Sequence, residues 1–328
     1  MLKSLQKIVY TCPKQFRKEL DFFSKTSFMG HIAEFQKHRA IPKYLGQHST
    51  ILTSKDAFHN VCPHRGTTLM DNPTSKKLLV CPYHSWSFTL DGASKKAPIK
   101  TCLQSIPTTT RHGFRISGNS NDQWDSAWKQ VGGMDWPNLK IHQTKTWVAK
   151  ANWKLLIENF LEWYHLPAVH PALTKISKPS EHVYGIVDDW AIGFKTDPLT
   201  EAGLPADPSF VPHIPGAHPT AALFHYLFPN MFWFVLPTHV FIVTLVPIGP
   251  TKTIENAMLL VHPDSEWPND SLEELWDFYD NVNTEDVDIC EKMQKGIRSN
   301  AFQHGWIEEK SEKNIFYFHN QLKKHNLI

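Results

Sequence analysis

An α+β fold in two domains is the architecture this 328-residue chain predicts. Three observations carry it: short apolar runs cut by turn residues between 40 and 135, a change of texture after Gly132-Gly133, and a long amphipathic pattern over Ser271–Arg298. Runs such as Ser49–Thr53 and Lys77–Val80 have strand length and are bounded by turn residues, so the first domain reads as all-β. Leu90-Asp91-Gly92 is a turn signal, and turn residues gather again at Gly118–Asp122 and Gly132-Gly133, near the boundary. Beyond it, Lys150–Tyr164 has helical spacing through Trp153, Leu156, Ile157 and Phe160. Ala221–Pro247 is then β-like, with Met231–Leu236 and Val240–Leu245 as strands. The expected organisation is an N-terminal helical segment (1–27), a small all-β domain (28–135), and a larger α+β domain (136–328) whose antiparallel sheet is flanked by helices.

Composition sets the outer limits. With 41% apolar residues and no run long enough to cross a membrane, the chain reads as an ordinary globular protein with no membrane partner. A formal net charge of +2 gives no footprint for nucleic acid or acidic lipid. Cys12, Cys102 and Cys290 show no framework spacing, which points to a reducing compartment. Residues 1–18 hold Lys3, Lys7, Lys14, Arg17 and Lys18 without an acid, a faint transit-peptide signal. They lack a secretory apolar region and a cleavage site, so the expectation is a basic helical start of a cytoplasmic protein.

Two short loops carry the strongest chemistry. They are Cys62-Pro63-His64-Arg65-Gly66 and Cys81-Pro82-Tyr83-His84-Ser85-Trp86, with sixteen residues between His64 and Cys81. Two thiolates and two imidazoles would suit zinc, but zinc fingers and ribbons mostly pair cysteine with cysteine and histidine with histidine. Here each loop supplies one sulfur and one nitrogen. That suits a two-iron cluster in which one iron takes both cysteines and the other both histidines. Neutral imidazoles lower the negative charge around such a cluster and raise its potential. Cys62, His64, Cys81 and His84 therefore look like a Rieske [2Fe–2S] site.

A second constellation follows in Glu158–Pro171. His165 and His170 would diverge by about 140° on an unbroken helix. Pro167 and Pro171 disfavour helical geometry at Leu166 and His170, so the helix is expected to end near His165 and the chain to turn His170 back towards it. A close histidine pair is by itself a weak signal in a chain with nineteen histidines. Two histidines that bind iron with open positions need a third ligand, and the known solution adds a carboxylate. Along the long helix, Leu275, Tyr279, Val282, Ile289, Met293 and Ile297 form an apolar stripe. Measured from Val282, Asp286 falls inside the stripe at about 40° and Glu285 at its edge near about −60°, while Asp288 and Glu291 point away. A carboxylate on a buried face is costly unless paired or metal-bound, so Asp286 is the expected third ligand.

Taken together these residues resemble the terminal oxygenase, or alpha subunit, of Rieske non-haem iron oxygenases, over nearly the whole chain. Ala151-Asn152-Trp153-Lys154, Glu158-Asn159-Phe160-Leu161-Glu162, Tyr164-His165, His170-Pro171, Phe228-Pro229-Asn230, Val246–Pro250 and Glu285–Glu291, followed by Gln294, Gly296, Arg298 and Ser299, are similar to the quaternary-ammonium branch. That branch includes carnitine, glycine-betaine and choline monooxygenases. Aromatic dioxygenases usually carry aspartate three residues before the first ligand histidine, where this chain has Glu162. The resemblance implies a mononuclear Fe(II) centre beside the [2Fe–2S] cluster and a head-to-tail homotrimer. In it Glu162 would bridge His165 to His84 of the neighbouring subunit and pass electrons. It also implies hydroxylation with O2 beside a quaternary nitrogen, giving a carbinolamine that collapses. No glycine-rich dinucleotide fingerprint is present, so NAD(P)H and flavin belong to a partner reductase.

Departures from the family lie at Ser85, where glycine is usual, and in Thr101–Ser117. Tyr83 and Gly66 occupy the positions of the disulfide found in respiratory Rieske proteins. Aromatic faces are natural surfaces for a cationic substrate, and Tyr226, Phe232, Trp233 and Phe234 are the candidates, set against the plainer expectation of strand core. Two other readings are a hydroxylase of aromatic compounds on the same scaffold and a pure Rieske electron carrier. The carrier would have no use for His165, His170 and Asp286.

Overall fold

The computed structural model describes residues 2–118, 122–196, 211–268 and 270–328. They divide into two compact units, residues 20–122 and residues 1–19 with 123–328. The turn expected at Gly118–Asp122 lies mostly outside the described residues, at 119–121.

Residues 20–122 are built from three three-stranded antiparallel sheets. Ala40–Leu45, His48–Thr53 and Ala57–His59 form a meander, and so do Leu78–Val80, Ser87–Thr89 and Ser94–Lys96. Phe114–Ser117 pairs with Phe28–His31 on one side and Thr108–Arg111 on the other. Ile51, Phe58, Leu79, Phe88 and Leu103 fill the core between the two meanders, and Cys62 and Cys81 are part of it. A core that small still buries both thiols while leaving the loop tips in solvent.

In the larger unit, seven antiparallel strands follow the order Lys140–Ala149, Lys252–Val261, His239–Gly249, Met231–Val235, Ala222–Leu227, Ala191–Thr196 and His182–Val187. The register sets Phe194 opposite Phe224, Phe224 opposite Phe234, and Phe234 opposite Phe241, so four aromatic rings stand in a row across four strands. Neighbouring rings meet at centroid distances of 4.7, 5.3 and 5.7 Å. Pairs of this kind add to the burial energy of the sheet.

Helices Trp153–Phe160 and Ser271–Ile297 pack together at this sheet. Asn152 caps the first by accepting from Lys154 N–H at 3.0 Å, and donates its side-chain amide to Pro250 O at 2.7 Å. Its backbone N–H meets Gln294 Oε1 of the long helix at 2.7 Å, which locks the pair together.

Several boundaries differ from expectation. The start is not wholly helical: Leu2–Gln6 pairs antiparallel with His304–Ile307, followed by helices Ile8–Thr11 and Pro13–Phe23. Residues 1–19 belong to the larger unit because Glu19 reaches the fully buried Lys154 at 2.6 Å and the Trp153 indole N–H at 2.7 Å. Residues 123–135 belong there too. Trp128 and Trp136 close on Trp233 at 4.9 and 5.4 Å, so residues expected in the first domain are core of the larger unit.

Candidate active site

The two Cys–His loops fold alike. In the first, Gly66 N–H donates to Cys62 O and Cys62 N–H to Thr67 O; in the second, Ser85 N–H donates to Cys81 O and Cys81 N–H to Trp86 O. Both turns need a positive φ at the fifth residue, 75° at Gly66 and 59° at Ser85. That geometry explains why glycine is usual at 85, and here serine bears the strain. The thiols of Cys62 and Cys81 share one buried cluster and influence each other's ionisation. Backbone amides of His64 and Arg65 point at the first sulfur, those of Tyr83 and His84 at the second. Burial opposes ionisation of Cys81, but its amides together with the Cys62 and Thr67 side chains outweigh burial and hold the thiol below its ordinary value. The imidazoles of His64 and His84 are exposed at the tip with centroids 4.7 Å apart, and His64 stacks on Trp86 at 4.5 Å. Two buried sulfurs ringed by amides, with two exposed nitrogens beside them, fit the donor set of a Rieske cluster. All five cysteines are free, so no disulfide braces the loops.

The second set lies in the larger unit. The helix after Asn152 stops at Phe160, earlier than expected, and Leu166–Val169 is a separate helical turn with Pro167 in its first turn. Proline is tolerated there because the first N–H groups of a helix have no partner. His165 and His170 flank this turn, and their rings come to 5.2 Å. Asp286 reaches them from the long helix: its Oδ1 lies 2.9 Å from His170 Nε2 and 3.5 Å from His165 Nε2. One ligand atom from each of the three residues falls within 4.8 Å of the others.

The opposite nitrogen of each ring is held by a carboxylate. Glu162 Oε1 is 2.5 Å from His165 Nδ1, and Glu285 Oε2 is 2.6 Å from His170 Nδ1. With Nδ1 as the donor in both, each Nε2 presents a lone pair to the common point, which is how a metal-binding imidazole is oriented. The Asn159 amide donates to Asp286 Oδ1 at 2.6 Å. Without a metal the cluster stores protons: burial opposes charge on His165, but Asp286 and Glu162 raise it to about 10, while the two imidazoles bring Asp286 down to about 2 against burial. Two nitrogens and a carboxylate converging on one point fit an iron(II) ion with positions left open.

The expected helix stripe is only partly core. Leu275, Tyr279 and Ile297 of the row are buried, as are Val287 and Cys290 outside it, whereas Met293 is exposed and Val282 and Ile289 are half-buried. Val282 and Asp286 face the same cavity, and Ile289 and Met293 line a neighbouring one. Asp286 thus sits in the stripe as reasoned, but that row borders cavities.

Beside His165, His170 and Asp286 opens a cavity of about 110 Å³. Its floor is the ladder Phe194, Phe224 and Phe234, and Phe160, Trp163 and Tyr279 contribute walls. Of the aromatic candidates, Phe234 lines it, and Phe232 stacks on Phe160 at 4.4 Å beside a smaller pocket behind Asp286. Tyr226 and Trp233 do not line it. Tyr226 is fully buried and donates to Pro229 O, and Trp233 is enclosed by Trp128 and Trp136. Asn159, Glu285 and the other aromatic walls went unassigned in the sequence reading. The acid beside Asp286 and the asparagine three before Glu162 were the available signals.

Residues 136–326 match the profile of the ring hydroxylating alpha subunit catalytic domain, and residues 27–107 match the Rieske [2Fe–2S] domain. A carnitine monooxygenase oxygenase subunit from Acinetobacter pittii is 25% identical, aligned over 98% of this chain and 94% of its own length. The chloroplastic choline monooxygenase of Amaranthus tricolor is 27% identical over 80% of this chain and 62% of its own. Among solved structures, the quaternary ammonium Rieske monooxygenase CntA in complex with L-carnitine superposes with a TM-score of 0.80 at 20% identity, covering 99% of this chain and 95% of that one.

Proposed function

The chain belongs to the ring-hydroxylating alpha-subunit family of Rieske oxygenases, and on that premise we propose that it oxidises a small quaternary ammonium or N-methyl compound with O2. The observation that carries the reading is the convergence of His165, His170 and Asp286 at the end of an aromatic cavity. The names of the relatives supply the substrate class.

In this reading Cys62, His64, Cys81 and His84 hold the [2Fe–2S] cluster, and His165, His170 and Asp286 hold the mononuclear iron. That iron supplies the activation of O2 and the insertion of oxygen into a C–H bond. Glu162 and Glu285 fix the tautomer of the two imidazoles, and Asn159 holds the Asp286 carboxylate in place. The aromatic ladder excludes water and presents ring faces to a cation. The balance is one C–H bond and one O2 consumed with two electrons and two protons, giving one C–OH and one water. A hydroxyl on carbon next to nitrogen then leaves as an aldehyde with release of the amine.

Electrons come from a separate reductase through the cluster. Subunits assemble as a head-to-tail homotrimer in the cytoplasm, with Glu162 bridging to His84 of the neighbouring subunit. No helix among the described residues is long and apolar enough to cross a membrane. A second reading, hydroxylation of an aromatic ring, is favoured by the hydrocarbon character of the cavity walls.

The test is an anaerobic single turnover: the protein is reduced chemically, mixed with trimethylammonium compounds and with arenes, then exposed to oxygen. Aldehyde and amine formed in proportion to protein support the ammonium reading. A phenol or dihydrodiol as the only product moves the chain to the second.

A further inference from the structure

Away from the His165, His170 and Asp286 centre, the cavity offers no cationic side chain to a carboxylate among the described residues. Its walls include no lysine and no arginine among the described residues, and none of the positions outside them is Lys, Arg or His. The nearest lysines in sequence do not face it. Leu173 and Ile176 point into the cavity from the turn Leu173–Ile176, whereas Lys175 is exposed, and Lys178 is exposed with its ammonium 3.7 Å from Glu181. Lys195 alternates with Phe194 along its strand, so it leaves the sheet on the other face.

The polar groups on the wall away from Asp286 are also spent as donors. His182 Nδ1 lies 2.9 Å from Lys178 O, which only accepts, so that nitrogen carries the hydrogen. His182 Nε2 is then an acceptor, and the Ser177 hydroxyl donates to it in a long hydrogen bond of 3.4 Å. Burial lowers the His182 pKa and keeps the ring neutral, and it stacks on Trp163 at 5.4 Å. What Ser177 leaves open is oxygen lone pairs, which accept from a substrate O–H and repel a carboxylate. The carboxylates that line the cavity, Asp286 and Glu162, both belong to the His165–His170 centre and its hydrogen bonds, so neither draws in a further anion.

We propose that the substrate is a small monocation, a quaternary or N-methylated ammonium whose remaining substituent is uncharged (hydrocarbon, aryl or alcohol), and that zwitterions carrying a carboxylate are excluded. This rests on the ammonium reading above and separates the chain from its carnitine-oxidising relatives. A buried ionised carboxylate without a partner is strongly disfavoured. The alcohol in its place would meet the Ser177 oxygen.

The test uses the intact iron-loaded protein and three matched pairs: choline against glycine betaine, benzyltrimethylammonium against its para-carboxylate, and toluene against para-toluate. Binding to the resting protein is measured by calorimetry and product by single turnover. We expect the monocation of an ammonium pair to bind on the order of a hundredfold more tightly than its carboxylate-bearing partner and to be the one converted. Glycine betaine bound or converted as well as choline overturns the carboxylate exclusion and leaves the ammonium reading standing. Toluene converted, with toluate and all ammonium compounds inert, overturns the ammonium reading and with it the monocation assignment. Failure of every carboxylate-free member to bind contradicts both.

Discussion

Glu285 and His170 meet at 2.6 Å, and the residue next to that glutamate, Asp286, meets the other nitrogen of the same ring at 2.9 Å. Two consecutive acids on one helix thus grip opposite ends of one imidazole. A helical step of about 100° separates them, enough to place one at the edge of the ring and the other across it. The ring has one orientation that satisfies both.

Replacing Glu285 with Gln keeps a hydrogen-bond acceptor at Nδ1 but removes the charge. Iron affinity at the mononuclear site should fall about 10- to 100-fold, as for other outer partners of metal-bound histidines. Titration of metal-depleted protein with ferrous iron checks it. An unchanged affinity would make Glu285 a surface acid.

The Asp286→Ala protein should keep the visible absorption of the cluster and lose turnover. Any residual turnover above a few per cent would remove Asp286 from the metal site. This residue was legible because a carboxylate in an apolar helical row needs a reason to be there. Its neighbours were less legible. Helical periodicity says that Val282, Ile289 and Met293 share its side, but not that this side borders cavities, which depends on what packs opposite. The Phe194–Phe224–Phe234 floor was hidden for a similar reason: strand register is set by long-range pairing, and the three residues come from separate strands. The cluster loops were the most legible part, since a fixed local spacing carries the whole donor set. Residues 123–135 misled because the Gly132-Gly133 turn read as the domain boundary, while Trp124 and Trp128 before it are already core of the larger unit.

Glu162→Gln should leave both iron sites loaded while slowing transfer between them. The cluster's reoxidation after oxygen is admitted, followed by its absorption, is the observable. A rate equal to the parent's would refute the bridging role.

The metal-free protein should show a stability maximum set by the triad. His165 is raised from 6.5 to about 10, so its contribution is complete below 6.5 and is lost as pH rises through about 10. Asp286 is lowered from 3.8 to about 2, so its contribution is present above 3.8 and is lost as pH falls through about 2. Melting temperature should therefore decline on the alkaline side between those His165 values. Iron displaces the protons and should flatten that decline. Parallel melting curves with and without iron across this range would contradict the linkage.

Lys154 is fully enclosed and its ammonium faces Glu19 at 2.6 Å, in a setting where burial lowers the lysine pKa. Glu19→Ala should cost about 3–5 kcal/mol because it leaves an unpaired buried charge. The double change Glu19→Leu with Lys154→Met should recover most of that loss. Chemical denaturation of the three proteins reads the difference.

The central claim is that one chain carries a Rieske cluster and a separate mononuclear iron. Measuring iron and acid-labile sulfide in the purified protein and in Asp286→Ala tests it most directly. The account predicts three irons and two sulfides per parent chain, since the cluster holds two of each, and two irons with two sulfides in the variant. Two irons in both proteins would contradict it and describe an electron carrier.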